Sequence, residues 1–376
     1  MKTVCAENQC TGCMACIDSC RFHAISIKDD LKSYNAVIDE DKCVHCNACH
    51  KVCQNNSPIS FTKPISWKQG WSKTEEIRKN SSSGGLATAL MQSFLANGGT
   101  VYSCAFQNGT FGFLKVSEEN LNTIRGSKYV KSDPSGVYRS VKEDLINNNR
   151  VLFIGLPCQV AALKIFVGEK LLTDLYTVDL ICHGTPSPKL LDKFLSQYKN
   201  NLQEIETISF RKKHTFHLQK NNKNFVCRGC MDRYSIAFLE GISYTENCYS
   251  CKFAQGERVS DITLGDSWGS ELPIEEQRKG VSLILCQTEK GEELIQSCDL
   301  ELHNVDMEKA KAANHQLVHP SLCSERREKF FRLLSKGKTF NKTTFRCLPK
   351  KCIKQKVKAV MIKLKIKKPQ GGGGGN

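Results

Sequence analysis

The feature that most constrains this chain is a cysteine run that occurs twice. Cys10, Cys13, Cys16 and Cys20 read C-x2-C-x2-C-x3-C, and Cys43, Cys46, Cys49 and Cys53 repeat it. Three thiolates on one tight loop suit three irons of a 4Fe-4S cubane, and the fourth starts a helix that points back to the neighbouring cluster. The repeat therefore predicts two clusters with crossed ligation. Cys10, Cys13 and Cys16 pair with Cys53, and Cys43, Cys46 and Cys49 pair with Cys20. The proline usual after the fourth cysteine is Arg21 in one run and Gln54 in the other. That changes the turn and leaves the ligand count intact.

These eight belong to a total of 21 cysteines in 376 residues. Residues 1–10 lack the basic and then apolar segments of a secretory signal, so metal ligation is the natural use of so many thiols and a cytoplasmic location is expected. No apolar run reaches the length of a membrane span. The net charge of +16 is unevenly placed: Glu325 to Lys368 holds seventeen Lys or Arg against two Glu, and the rest of the chain is close to neutral. A basic tail of this kind points to an anionic partner.

Composition divides the chain into residues 1–60, a small ferredoxin-like two-cluster module; residues 67–324, a larger mixed α/β region with parts at about 67–150 and 151–324; and residues 325–376, a basic, partly flexible tail ending in Gly371 to Gly375. In the module, 24–27 and 36–38 read as short paired strands. Farther on, Leu86 to Ala96 reads as a helix stopped by Gly98-Gly99, and Thr100 to Phe106 as a strand. Val151 to Gly155, a helix at 160–166, and Leu175 to Ile181 make a βαβ unit, which requires parallel strands. Cys158 and Cys182 then lie at the carboxyl ends of those strands, the edge where open α/β sheets bind ligands.

Several residues carry candidate chemistry. Ser83, Gly84 and Gly85 precede a helix, where free N–H groups suit a phosphate. Ser127, Lys128 and Tyr129 offer a cation and an aromatic ring in a Gly-containing loop. Cys158 and Cys182 with Cys248 and Cys251 can make a further cubane site. The competing grouping, Cys227, Cys230, Cys248 and Cys251, reads C-x2-C-x17-C-x2-C, within the spacing of a zinc ribbon. Cys5, Cys104, Cys286, Cys298, Cys323, Cys347 and Cys352 have no spacing partner and read as structural. His183 suggests a hydrogen-bonding role beside Cys182, and Asp261 and Asp266 suggest either capping or ligand contact.

Ser83-Gly84-Gly85, Gly126 to Val130, Gly155 to Gln159, Cys182-His183-Gly184, and Cys248-x2-Cys251 followed by Ser260 to Asp266 together resemble the coenzyme F420 hydrogenase/dehydrogenase beta-subunit family. The likeness runs from about Trp67 to Leu334, and an amino-terminal ferredoxin module is a common companion in that family. The resemblance implies a flavin-dependent oxidoreductase with its own 4Fe-4S cluster, here on Cys158, Cys182, Cys248 and Cys251. It also implies FAD near Ser83, Gly84, Gly85, Ser127, Lys128 and Tyr129. Members act on deazaflavins or pigments, and many accompany surface-polysaccharide biosynthesis. Ser267 stands where an aromatic residue is common.

The resulting expectation is an α+β and α/β iron–sulfur flavoprotein. It passes electrons between ferredoxin-type clusters and a flavin that serves a small organic or deazaflavin-type substrate, with a second protein as electron donor or acceptor. The alternative is a non-catalytic electron-carrier subunit. Ile353, Val357, Val360, Met361 and Leu364 recur at helical spacing among lysines, as in a segment lying on an anionic membrane. Residues 361–367 also alternate as an edge strand would. No nucleic-acid-binding signature accompanies the charge.

Overall fold

The computed structural model describes residues 2–367; the glycine run expected to be flexible lies outside them. The module contains two short helices, Ala15–Ser19 and Ala48–Lys51, one after each cysteine loop, and an antiparallel pair, β1 (Ile25–Asp29) and β2 (Tyr34–Ile38). Its two loops share one backbone path. Gly12 and His45 occupy the left-handed region at φ 73° and 57°, and Met14 and Asn47 do so at 61° and 60°. A methionine at positive φ is disfavoured by its Cβ. The same conformations recur two residues apart in both loops, so the two loops follow one backbone path.

The larger region is built on an eight-stranded sheet. Its strands are β3 (Ser66–Ser72), β4 (Thr100–Gln107), β5 (Thr110–Val116), β6 (Val151–Gly155) and β7 (Leu175–Leu180). A separate three-stranded sheet, β8 (Ile208–Lys212), β9 (Thr215–Lys220) and β10 (Lys223–Asn224), interrupts the chain. The large sheet is then completed by β11 (Ile262–Asp266), β12 (Ser282–Cys286) and β13 (Leu300–Asn304). Strand order is β13-β3-β12-β11-β7-β6-β4-β5. The centre, β4-β6-β7-β11, is parallel, and antiparallel strands flank it on both sides.

The physical cause is visible in the residues. β6 is Val-Leu-Phe-Ile-Gly, buried along its whole length, as a parallel strand covered on both faces must be. Pro157 opens the next helix at its first position, where its missing N–H costs nothing, and Gln159 Oε1 accepts the Leu156 N–H at 2.9 Å. The helix Leu86–Ala96 buries Leu86, Leu90, Met91 and Phe94 against β4 and β6. Because β3 inserts between β12 and β13, the parts expected at 67–150 and 151–324 share one sheet.

The stretch between Cys227 and Cys251 contains a buried helix, Arg233–Leu239. One feature departs from the expected layout. The segment 325–348 is an integral layer and not a tail. Helices Glu325–Ser335 and Phe340–Cys347 bury Phe330, Phe331, Leu334, Phe340 and Cys347 against Leu190, Phe194, Tyr234 and Ile236. A third helix, Pro349–Lys363, follows. Among the described residues no helix is long and apolar enough to cross a membrane.

Candidate functional site

A cavity of about 490 Å³ opens at the carboxyl ends of β6, β7 and β11. Ser83, Gly85, Ser127, Lys128 and Tyr129 all line it, so two loops far apart in sequence reach one site. They are joined directly, the Ser127 N–H donating to Ser82 Oγ at 3.0 Å. Helix Leu86–Ala96 begins on the cavity wall, with Gly85 in the left-handed region and no side chain capping its first N–H groups. A helix start left in that state presents donors to an anion.

Gly84 is different. It does not line the cavity; its N–H donates to Ser282 Oγ at 3.0 Å, and a Cβ there would lie 2.4 Å from the Gly70 carbonyl oxygen. Close packing on β3 and β12 explains this glycine, and the expectation of a phosphate contact from it is corrected. Lys128 is also partly spent. Its ammonium donates to the Ile124 and Gly126 carbonyls, at 2.5 and 3.1 Å, and burial lowers its pKa.

Two basic residues not picked out by the sequence complete the wall. Arg125 lines the cavity with its Nε buried and without a hydrogen-bond partner. Arg211, from β8, is buried and donates to both oxygens of Asp266 at the end of β11, Nη2 to Oδ1 at 2.8 Å. Asp266 is the one carboxylate among the lining residues, against Arg125, Lys128 and Arg211. The balance favours an anionic guest. Tyr129 stacks on Phe238 at 4.2 Å between centroids, and Trp268, Phe216 and Phe113 add further rings to the lining. Ser267 turns away and donates to Gln69 Oε1 at 2.8 Å, which leaves Trp268 facing the cavity. Asp261 also lies elsewhere: it accepts from the Thr177 N–H and hydroxyl at 2.8 and 2.7 Å and ties β7 to the start of β11.

Cys182 lines the same cavity, beside His183. Its thiol is pushed up to about 12, by burial first and then by Cys248 and Cys251 nearby. Cys158, half-buried, lies beside Cys251 and Cys182 and also senses Cys13 of the module. Cys248 accepts the Thr185 N–H at 3.5 Å. Cys158, Cys182, Cys248 and Cys251 are thus neighbours. Cys227 and Cys230 instead adjoin each other and Lys358. Cys158, Cys182 and Cys251, whose thiols burial pushes up, form with Cys248 a four-sulfur donor set of the kind that iron can neutralise. Among the described residues no three His, Cys, Asp or Glu side chains converge on a single metal ion; a cubane spreads its four sulfurs over four separate irons.

In the module, Cys20, Cys43, Cys46 and Cys49 line one small cavity with Phe22, Ala24, Ile25 and Ile38. Cys10, Cys13, Cys16 and Cys53 are mutual neighbours in the second group. Backbone N–H groups point at these sulfurs, Ala24 N to Cys20 Sγ at 3.4 Å among them. Cys5, which spacing left without a role, sits between Cys10 and Cys53, and its hydrogen bonds hold both below the usual thiol range.

Residues 148–310 match the family described as coenzyme F420 hydrogenase/dehydrogenase, C terminus of the beta subunit, and residues 9–57 match the 4Fe-4S dicluster domain. One stretch of the chain is thus similar to a 4Fe-4S dicluster domain and a later one to the C terminus of the F420 hydrogenase/dehydrogenase beta subunit. The two matches support iron–sulfur electron transfer related to that of the F420 hydrogenase beta subunit. A solved structure, a xenon derivative of the F420-reducing NiFe hydrogenase complex from Methanosarcina barkeri, is similar at 18% identity and a TM-score of 0.46, over 69% of this chain and 92% of that one. No curated protein matches. The beta-subunit domain match spans β6 to β13, which supply Cys158, Cys182, Cys248, Cys251, Arg211 and Asp266.

Proposed function

We propose that the chain is an iron–sulfur flavoprotein oxidoreductase whose flavin, most simply FAD, occupies the cavity at the carboxyl edge of the parallel strands. The observation that carries this reading is the convergence of the Ser81–Leu86 and Arg125–Tyr129 loops on one basic, aromatic cavity that Cys182 also lines. Arg125, with an unpartnered buried nitrogen, and the open start of helix Leu86–Ala96 would hold the phosphates. Tyr129 and Trp268 would flank the ring. Cys158, Cys182, Cys248 and Cys251 would hold a third 4Fe-4S cluster, between the module and the cavity. The clusters would supply one-electron transfer, and the flavin two-electron exchange with an organic or deazaflavin-type substrate.

The chain's own residues set the order. Tyr138 OH donates to the Cys13 carbonyl at 2.7 Å, and its ring packs in the same apolar cluster as Cys158 and Cys251. The module is therefore seated with its buried cysteine group, not its exposed one, toward the large domain. Cys46, of the other group, is exposed and faces outward for a protein redox partner.

Anaerobic purification of the full chain with iron, sulfide, zinc and flavin counts tests the reading. About twelve irons and one flavin per chain are expected, with loss of about four irons in Cys182→Ser. Protein that keeps its clusters and never takes up FAD or FMN is the electron-carrier alternative.

A further inference from the structure

The last helix, Pro349–Lys363, leaves an apolar stripe in water. It is held to the body on one side only. Cys352 is fully buried, Gln355 Oε1 accepts the Met231 N–H at 3.0 Å, and Lys351 Nζ pairs with Glu240 at 2.8 Å. On the opposite side Ile353, Val357, Val360 and Leu364 are 48%, 53%, 54% and 64% exposed. Their spacing of four, three and four residues places them in a single line along the helix. At about 100° per residue, Lys356 and Lys363 flank that line on one side and Lys350 and Lys354 on the other. From Pro349 to Lys367 there are eight lysines and no acidic residue.

We propose that this helix is a docking face for an anionic lipid bilayer and lies in the plane of its surface. Lysines on both borders of an exposed apolar line can lay their stems along it and hold their ammonium groups at headgroup level. The stripe is about 16 Å long at 1.5 Å per residue, too short to span a bilayer. Other occupants satisfy only part of the surface. A second copy would set lysine borders against lysine borders. Nucleic acid would use the lysines and leave the apolar line in water. An anionic bilayer uses both, and its attraction falls within a Debye length, about 8 Å at physiological salt. The proposal does not depend on the flavin reading.

The test uses the full chain with phosphatidylcholine vesicles, with and without phosphatidylglycerol. At low salt the protein should sediment with anionic vesicles at least about tenfold more than with neutral ones, and high salt should release it. The double substitution Val357→Asp with Val360→Asp should reduce sedimentation about tenfold and leave the melting temperature unchanged, because both side chains already face water. Equal sedimentation with both vesicle types, no binding at low salt, or unaltered binding by the double variant overturns the proposal. So does a dimer or a DNA complex that the double variant dissolves, since either would be the true occupant of the stripe.

Discussion

Asp18 of the ferredoxin module caps a helix that belongs to the larger domain, the one whose second residue is Tyr138. Its carboxylate accepts the Gly136 N–H at 2.6 Å and the Tyr138 N–H at 3.1 Å, and Tyr138 OH donates back to the Cys13 carbonyl at 2.7 Å. Arg139 adds a bond from its Nε to the Asp18 carbonyl at 2.6 Å. Asp18 lies between two cysteines of the first run, Cys16 and Cys20. The helix start and the first cysteine loop therefore fix each other. Gly136, the N-cap position, has no side chain, and Asp18 supplies the capping carboxylate from the other domain.

Asp18→Ala removes that cap and leaves two N–H groups without their acceptor. A loss of about 1–2 kcal/mol is expected, concentrated in the seating of the module. Hydrogen exchange should rise at residues 136–140 and in the first cysteine loop, with the sheet core unchanged. Protection that falls evenly over the whole chain would mean that Asp18 does not hold the interface.

Arg125 and Lys128 should differ in their effect on flavin. A charge-assisted bond contributes about 1.5–3 kcal/mol, so Arg125→Leu should weaken FAD binding roughly 10- to 100-fold. Lys128→Met should cost less, because the ammonium already serves the Ile124 and Gly126 carbonyls. Fluorescence titration of flavin-depleted protein ranks the two. A larger effect at Lys128 reverses the assignment.

What the residues revealed in advance was whatever is written locally. The cysteine spacing implied the groups of Cys10 with Cys53 and of Cys20 with Cys43, and the structure gathers both sets. The βαβ pattern at 151–181 gave parallel β6 and β7. Long-range relations were not legible. Arg211 reaches the cavity from a separate small sheet, and nothing in Phe210-Arg211-Lys212 marks it. Phe330 and Phe340 were hidden by the basic residues around them, since charge dominates the composition of 325–348 while a few aromatics fix its burial. Gly84 looked like part of a phosphate loop because a packing glycine and a ligand-binding glycine are the same letter.

Lys213 introduces a pH dependence. Burial first, and then Arg78 and Arg211, lower its pKa to about 8. The folded state therefore disfavours the charged form. That penalty is fully present below pH 8 and is relieved as pH rises from 8 toward the unfolded value of about 10.4. Its ammonium is partly exposed, so screening reduces the effect to the order of 1 kcal/mol. Wild type should gain stability relative to Lys213→Met between pH 8 and 10, measured by denaturant unfolding under anaerobic conditions. A difference constant across that range would show that Lys213 keeps an ordinary pKa.

Cys5 offers the sharpest separation of two roles. Its thiol is pushed far up, by its hydrogen bonds to Cys10 and Cys53 and then by burial, and stays protonated. A protonated thiol beside two ligand sulfurs is a donor to them, and donors to cluster sulfurs raise the reduction potential. One hydrogen bond of about 1 kcal/mol corresponds to roughly 40 mV for a one-electron couple. Cys5→Ala should therefore lower the midpoint of one of the clusters by about that amount and leave iron and sulfide per chain unchanged. Cys5→Ser, which keeps a donor, should recover part of the shift. A potentiometric titration followed by electron paramagnetic resonance measures both. Loss of a full cluster's iron in Cys5→Ala would instead make Cys5 a ligand and return Cys10 or Cys53 to the position of a bystander. An unchanged midpoint with unchanged iron would leave Cys5 as packing alone.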